Sequence, residues 1–409
     1  MRRSALIAAA GGFILGGSVG SAGAEETPPA EEIWRIVQEQ RAEIERLKRR
    51  LGEAEAKVEA TGDRVEAAQS ARGDGGEGWW RKTHLGGYGE LHYNAGDADQ
   101  IDLHRLVLGI GHDFTDDLRF ESEIEFEHAL IGDGEPGEVA VEQAYVEYDI
   151  TDSQRVKGGM VLVPVGILNE THEPPTFFGV ERNKVETNII PTTWSEGGVA
   201  ASGELGAGFS YDLAVHSGLK VATTGSNAFK IRNGRQKVAE AKATDGAITG
   251  RLKWTGHPGV ELGLAAQYQD DLTQNAQGLG TSATMVEAHG NLRFGGWGLR
   301  ALYARWDLDK GPAFTGAGAY GRDIQHGWYV EPSYRFDISA GEVGVFARYS
   351  GWDNEAGNGT DSLFQKYDVG LNYWPHPDVV LKIDGEFQHN PSGRGRDDNR
   401  VNLGIGYQF

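Results

Sequence analysis

The last nine residues of the chain alternate apolar residues with polar residues or glycine at every position. They run from Val401 to Phe409, and Val401, Leu403 and Ile405 share one register. A strand with this period of two has one apolar face and one polar face. Because this is the last segment of the sequence, no later residues cover the apolar face, and we expect lipid to cover it.

The same alternation recurs upstream, with charged residues in the polar register. Residues 118–126 read LRFESEIEF, and residues 381–387 read LKIDGEF. Strands that are apolar on one face and charged on the other are typical of a transmembrane β-barrel with a polar interior. The pattern therefore predicts an all-β, antiparallel barrel. A soluble β-sandwich with buried aromatic residues is the alternative.

Turn signals divide residues 83–409 into sixteen strands, joined by seven short and eight long connections. The short connections lie near 114–116, 151–153, 206–207, 256–258, 295–296, 338–341 and 375–377. The long ones lie near 94–100, 129–137, 164–195, 218–245, 270–282, 307–324, 353–363 and 389–399. Sixteen strands enclose a water-filled channel, and short turns mark the periplasmic end. Aromatic residues near that end predict an interfacial girdle: Trp254, Trp297, Phe336, Trp374 and Phe409.

The amino-terminal part of the chain differs from the predicted barrel. Residues 1–24 have the three parts of a secretory signal peptide, residues 25–72 carry a heptad pattern, and residues 73–82 form a glycine-rich linker. The heptads predict a short coiled coil, with a single solvated helix or flexible spacer as the alternative. We therefore expect a barrel at 83–409 in a Gram-negative outer membrane and a helix in the periplasm.

Composition excludes several other classes of protein. The chain has no cysteine, so it can form neither disulfides nor thiolate metal sites, and we expect no metal and no cofactor. A formal charge of −21 argues against nucleic acid as a partner. The mean hydropathy of −0.45 fits a membrane protein only if half of each spanning element faces water, as barrel strands do.

Strict alternation places many charged residues on the predicted pore wall. The bases are Arg105, Arg119, Lys157, Arg251, Lys253, Arg293, Arg300, Arg335, Arg348, Lys366 and Lys382, and the acids include Glu121, Glu123 and Glu125. Acids cluster around residues 121–147 and bases around residues 251–348, so the two groups should face each other across the lumen. Opposed acids and bases would create an electric field across the lumen, and such a field favours charged or zwitterionic solutes. Pairing between neighbouring strands is the alternative role for these charges.

The third long connection, 164–195, differs in kind from the other loops. It contains apolar residues that an outer loop would not expose to water, such as Phe177, Phe178 and Ile189. It also contains the charged or titratable residues His172, Glu173, Glu181, Arg182, Lys184 and Glu186. We expect this loop to fold inward and constrict the pore. Packing over a rim or on a neighbouring subunit is the alternative.

The sequence resembles the phosphate-selective porin O and P family over residues 83–409. The resemblance rests mainly on residues 166–183, which read GILNETHEPPTFFGVERN, followed by Ile190-Pro191 and by WSEGG at 194–198. It implies a sixteen-stranded, trimeric pore with an inward third loop. The amino-terminal coiled coil is similar to that of dicarboxylate-type porins. Phosphate-selective members use a ladder of arginines, whereas here acids stand on one wall and no aligned ladder is evident.

These features predict a passive diffusion channel for small hydrophilic, charged solutes such as phosphate or carboxylates, which acts as a homotrimer in outer-membrane lipid. A second hypothesis is a structural tether that acts through its periplasmic coiled coil. An outer-membrane hydrolase would need a serine, a histidine and an acid at one barrel rim. No serine can be paired with His289 or His326 from the sequence, so we expect no enzymatic activity.

Overall fold

The computed structural model describes residues 78–409, apart from 97–98, 275–279, 392 and 395–396, together with three helical residues at 34, 38 and 41. The chain divides into two units, Met1–Glu77 and Gly78–Phe409. The predicted signal peptide and almost all of the predicted coiled coil lie outside the described residues. Within the described part of the chain, no helix has the length and apolar character needed to cross a membrane.

The second unit is a closed antiparallel barrel of sixteen strands, as predicted. The strands are β1 (Thr83–Ala95), β2 (Gln100–Asp113), β3 (Leu118–Glu127), β4 (Glu138–Thr151), β5 (Gln154–Leu162), β6 (Ser195–Gly206), β7 (Phe209–His216), β8 (Ala247–Trp254), β9 (Val260–Gln269), β10 (Ala283–Phe294), β11 (Trp297–Leu308), β12 (Ile324–Ile338), β13 (Gly341–Asp353), β14 (Phe364–His376), β15 (Val379–His389) and β16 (Asp398–Gln408). Each strand pairs with its neighbours in sequence. The barrel closes where β1 pairs with β16, from Tyr88 opposite Gln408 to Ala95 opposite Val401.

Connections alternate in length around the barrel, which confirms the predicted order of turns and loops. Two-residue turns such as 152–153 and 295–296 lie at one end, and the longest loops, 163–194 and 217–246, lie at the other. We call these two long loops L3 and L4. A 3-10 turn at Pro174–Thr176 and a one-turn helix, α1 (Val185–Asn188), lie in L3, and further 3-10 turns are Trp79–Lys82, Ile231–Gly234 and Ala317–Tyr320.

The outer surface of the barrel is apolar, and many side chains that point inward from its strands are polar or charged. Outward side chains such as Leu264, Val199 and Ile405 are largely exposed, whereas inward polar side chains such as Lys366 and Asn402 are buried. Period-two alternation produces this arrangement, because each strand sends its apolar register to one face. An apolar outer surface of this extent fits contact with lipid acyl chains.

The predicted girdle holds for Trp297, Phe336 and Phe409, which are exposed at the short-turn end. The prediction was wrong for Trp374, which points into the barrel and is only 4% exposed. Its ring packs edge-on against Phe178. Alternation along β14 accounts for the difference, because Trp374 shares its register with the inward residues Asp368 and Asn372.

We expect an arginine on the outward face to weaken insertion of the barrel into lipid. Leu264 lies in the middle of β9 and is 59% exposed, so Leu264→Arg should cost about 2–4 kcal/mol of folding free energy in lipid vesicles. Leu205 is equally exposed at 61% but ends β6 beside a short turn, so Leu205→Arg should cost only about 0–1 kcal/mol. Denaturant titration of both variants would measure this, and equal costs would contradict a lipid-facing β9.

A hydrophobic core lies inside the barrel, where L3 and L4 pack against the wall. L3 contributes Phe177, Val185, Ile189, Ile190 and Trp194, and L4 contributes Leu219, Phe229 and Ile231. The wall contributes Met285, Leu302, Trp306, Tyr329 and Trp352, from β10 to β13. Burial of these side chains stabilises the loops inside the lumen rather than over a rim.

Candidate functional site

L3 crosses the lumen and is held by cationic side chains of the wall. Four of these side chains each donate a hydrogen bond to a backbone carbonyl group of the loop. Arg105 donates to His172 (2.8 Å), Arg300 to Thr176 (2.9 Å), Arg348 to Phe178 (2.7 Å) and Lys382 to Gly179 (2.8 Å). These donors lie on β2, β11, β13 and β15, so the loop is attached to widely separated parts of the barrel.

Glu186 is the acid that fixes the shape of L3. Its carboxylate accepts hydrogen bonds from the backbone N–H groups of Ile167 (2.6 Å) and Leu168 (2.9 Å). It also accepts from the Asn183 side chain (2.7 Å) and from the Tyr329 hydroxyl (3.1 Å). Because it is only 3% exposed, Glu186 lies within the folded loop and away from water, unlike Glu173 on the same loop.

Several predicted wall bases are buried in ion pairs. Arg105 lies 2.6 Å from Glu90, and Arg348 lies 2.6 Å from Glu331 and 3.2 Å from Asp368. Lys366 lies 3.0 Å from Asp368 and 2.6 Å from Glu386. Each of these cations faces inward, and each is neutralised by carboxylates on its own or an adjacent strand. For them the structure matches the alternative role, in which charges pair between neighbouring strands.

A second set of predicted bases lies beside open space near the short-turn end. Lys253, Arg293 and Arg300 have no carboxylate within 4.0 Å among the described residues. Two neighbours are paired: Arg251 with Asp212 (2.7 Å) and Glu170, and Arg335 with Glu342 (3.0 Å). All five bases line one cavity of about 350 Å³ below L3. We call Lys253, Arg293 and Arg300 the open bases.

Acidic side chains occupy the opposite wall at the same end. A cavity of about 400 Å³ is lined by Glu121 and Glu123 of β3 and by Glu173 of L3. Next to it, Arg119 is neutralised by Glu147 (2.7 Å) and Asp149 (2.6 Å), and Lys157 lies 4.8 Å from the centre of the Tyr145 ring. Strand β3 lies across the sixteen-stranded barrel from β10 and β11. Acidic side chains thus face the open bases.

A further cavity of about 470 Å³ lies on the loop side of L3. Two of its cations, Arg182 and Lys184, come from L3, and three come from L4: Arg232, Arg235 and Lys237. Burial lowers the pKa of Arg182 to about 10, so it stays protonated at neutral pH. The acids that line the same cavity are Glu90, Glu125, Glu127 and Glu142 of the wall and Glu181 of L3.

The cations that L4 contributes to this cavity are not among the site residues predicted from the sequence. Arg235 donates to the Thr192 carbonyl of L3, and Arg232 donates to the Thr187 carbonyl at 2.7 Å. Residues in a long polar loop carry no periodicity that relates them to the lumen. The apolar residues of L4, such as Leu219, Phe229 and Ile231, are the same kind of signal that predicted an inward L3, and they could have indicated that L4 also folds inward.

A closed barrel with an apolar exterior, a charged lumen and an inward loop defines a porin. Solved structures share this fold: an anion-selective porin from Comamonas acidovorans (TM-score 0.55, 15% identity, covering 80% of this chain and 99% of that one) and Salmonella typhi OmpF in complex with daunomycin (0.54, 14%, 80% and 97%). A model of the family described as phosphate-selective porin O and P matches residues 86–409. The chain belongs to this family of outer-membrane porins.

One further protein resembles this chain in sequence, and one further solved structure resembles it in fold. An uncharacterised protein from Aquifex aeolicus (strain VF5) is 35% identical over 327 residues, which cover 73% of this chain and 74% of that protein. The outer-membrane channel DcaP of Acinetobacter baumannii shares the fold, with a TM-score of 0.51 and 14% identity, covering 80% of this chain and 97% of that one.

Proposed function

We propose that the protein is a passive diffusion channel for small hydrophilic solutes with anionic groups, such as phosphate or carboxylates, and that it acts as a homotrimer. The observation that carries this proposal is the set of open bases, Lys253, Arg293 and Arg300, beside a cavity below L3. Cations without a neutralising carboxylate attract anions, and they do so more strongly in a narrow lumen than in bulk water.

The geometry supports selection by size and by charge. L3 narrows the lumen, because the wall holds it at His172 and at Phe178 on different sides. Below it, the open bases face Glu121, Glu123 and Glu173. A solute with an anionic group is drawn to the basic side, whereas the acidic side attracts an ammonium group on the same solute. The transverse field thus orients passengers at the narrow level.

Planar lipid bilayers provide the direct test. Insertion of purified protein should raise the ion current in steps. Under a salt gradient, the reversal potential should have the sign expected for anion selectivity. Phosphate or a dicarboxylate added to chloride should reduce the chloride current, because these anions compete for the open bases. Absence of conducting steps would contradict the channel. Deletion of residues 25–72 should leave conductance intact, and loss of cellular function in that variant would favour a tether instead.

A further inference from the structure

His172 of L3 meets two carboxylates of the wall behind the constriction. The side chains of Glu123 on β3, Glu142 on β4 and His172 offer ligand atoms that all lie within 4.8 Å of one another. His172 Nε2 is 3.5 Å from Glu142 Oε2. We call these three residues the His172 cluster. They come from three separate elements, so the cluster forms only when L3 is seated inside the barrel.

The histidine in this cluster presents a lone pair to the carboxylates. His172 Nδ1 lies 3.0 Å from the carbonyl oxygen of Asn169, which can only accept, so Nδ1 carries the proton. The unprotonated Nε2 therefore directs its lone pair into the space that it shares with the Tyr88 hydroxyl (2.7 Å) and Glu142 Oε2 (3.5 Å). A histidine held through one nitrogen by a backbone carbonyl is the usual arrangement of a metal-ligating imidazole.

The cluster has more hydrogen-bond acceptors than donors. The Tyr88 hydroxyl lies 2.7 Å from His172 Nε2 and 2.9 Å from Glu142 Oε2, and its single proton can serve only one of them at a time. Two carboxylate oxygens, Glu142 Oε1 and Glu123 Oε2, are buried without a hydrogen-bond partner among the described residues. Glu142 is only 3% exposed. A buried, unpartnered carboxylate oxygen carries a large desolvation cost that a bound cation would remove.

The two arginine side chains near the cluster, Arg105 and Arg182, already bond to other groups. Arg105 pairs with Glu90 at 2.6 Å and donates to the His172 carbonyl, and Arg182 donates to the Thr193 hydroxyl at 2.9 Å. An ion can approach from the short-turn side, because Glu123 and Tyr88 line the cavity of about 400 Å³ that opens there. The cluster thus has donor atoms, unsatisfied negative charge and an entry path.

We propose that the His172 cluster binds a divalent first-row transition metal ion, of which Zn²⁺ is the best match. One imidazole nitrogen with two carboxylate oxygens suits Zn²⁺ better than Ca²⁺ or Mg²⁺, which prefer oxygen alone. Bonds of about 2.0 Å place tetrahedral ligand atoms roughly 3.3 Å apart, so small side-chain rotations close the site. Water or Tyr88 completes the coordination. The bound ion fastens L3 to β3 and β4, which revises the expectation of a chain without metal.

Equilibrium dialysis of the folded full-length protein in detergent, with Zn²⁺ as the probe and excess Mg²⁺ to occupy surface carboxylates, tests this site. The wild-type protein should retain one Zn²⁺ per chain at saturation. Glu142→Gln and His172→Gln should each weaken retention at least about tenfold. His216→Gln is the matched control, because His216 is equally buried inside the barrel but contacts the Thr249 hydroxyl rather than an acid. That variant should bind as the wild type does.

X-ray absorption on the Zn²⁺-loaded wild type keeps the test independent of whether a variant folds. The spectrum should show one imidazole together with oxygen ligands. A shell of oxygen alone, no saturable retention by the wild type, or unchanged retention in folded Glu142→Gln and His172→Gln would each overturn the proposal. Glu123 makes no hydrogen bond or ion pair to L3 among the described residues, so Glu123→Gln should weaken Zn²⁺ retention without removing a bond to the loop if the third ligand is correct.

Discussion

Replacement of Lys253, Arg293 and Arg300 together by glutamate will turn an anion-preferring channel toward cations. A unit charge about 5 Å from a permeating ion in water changes its energy by about 0.8 kcal/mol. Each replacement changes the charge by two units, so the three together change the energy of a permeating ion by more than about 2 kcal/mol even if salt screens half of the interaction. The ratio of anion to cation permeability should therefore fall at least about tenfold, as measured from reversal potentials at low salt.

A control for this variant changes the same total charge away from the lumen cavity. Lys220, Lys242 and Lys310 are exposed on L4 and on the loop after β11, and their joint replacement by glutamate should shift the ratio less than about twofold. If both triple variants shift the reversal potential equally, net charge rather than the open bases sets selectivity. If neither does, the cavity below L3 is not on the conduction path.

Replacement of Glu186 by alanine will loosen the constriction while leaving the barrel closed. The variant leaves the backbone N–H groups of Ile167 and Leu168 without an acceptor, and each unsatisfied buried group costs about 1–3 kcal/mol. L3 should then leave its packed position far more often. Single-channel recordings should show a larger mean conductance and stronger open-channel noise than the wild type.

Glu173→Ala provides the comparison, because it removes the same charge from the same loop. The Glu173 side chain is only half-buried and lines an open cavity, whereas that of Glu186 bonds to four groups. Noise in Glu173→Ala should stay at the wild-type level. Both variants should keep the heat-dependent gel migration of a folded barrel. A quiet channel of normal conductance in Glu186→Ala would show that L3 does not depend on this carboxylate.

The fold was predictable because its signal repeats along the chain. Period two in segments such as 381–387 places each residue on a known face, and every short and long connection falls where turn residues cluster. The same rule would have placed Trp374 inward, since it shares a register with Asp368. Its assignment to the outer girdle followed residue type rather than register.

The roles of the charged residues were not predictable, because pairing depends on register between strands. Arg348 and Lys253 look alike as inward bases, yet Arg348 is enclosed by Glu331 and Asp368 from the two adjacent strands, and Lys253 has no such partner. Likewise, Glu186 resembles Glu173 in sequence, and only the folding of L3 onto itself separates them. The His172 cluster joins residues from three elements, and no spacing along one segment signals it.

The hydrogen bonds between the wall cations and L3 have a consequence for the biogenesis of the barrel. These cations lie on β2, β11, β13 and β15, which fall on both sides of the seam where the first and last strands pair, and they span the half of the circumference that runs from β11 across that seam to β2. The loop therefore cannot reach its final conformation on a partly assembled sheet. Permeability control should appear only in the last step of maturation, so an unfinished barrel would leak rather than filter.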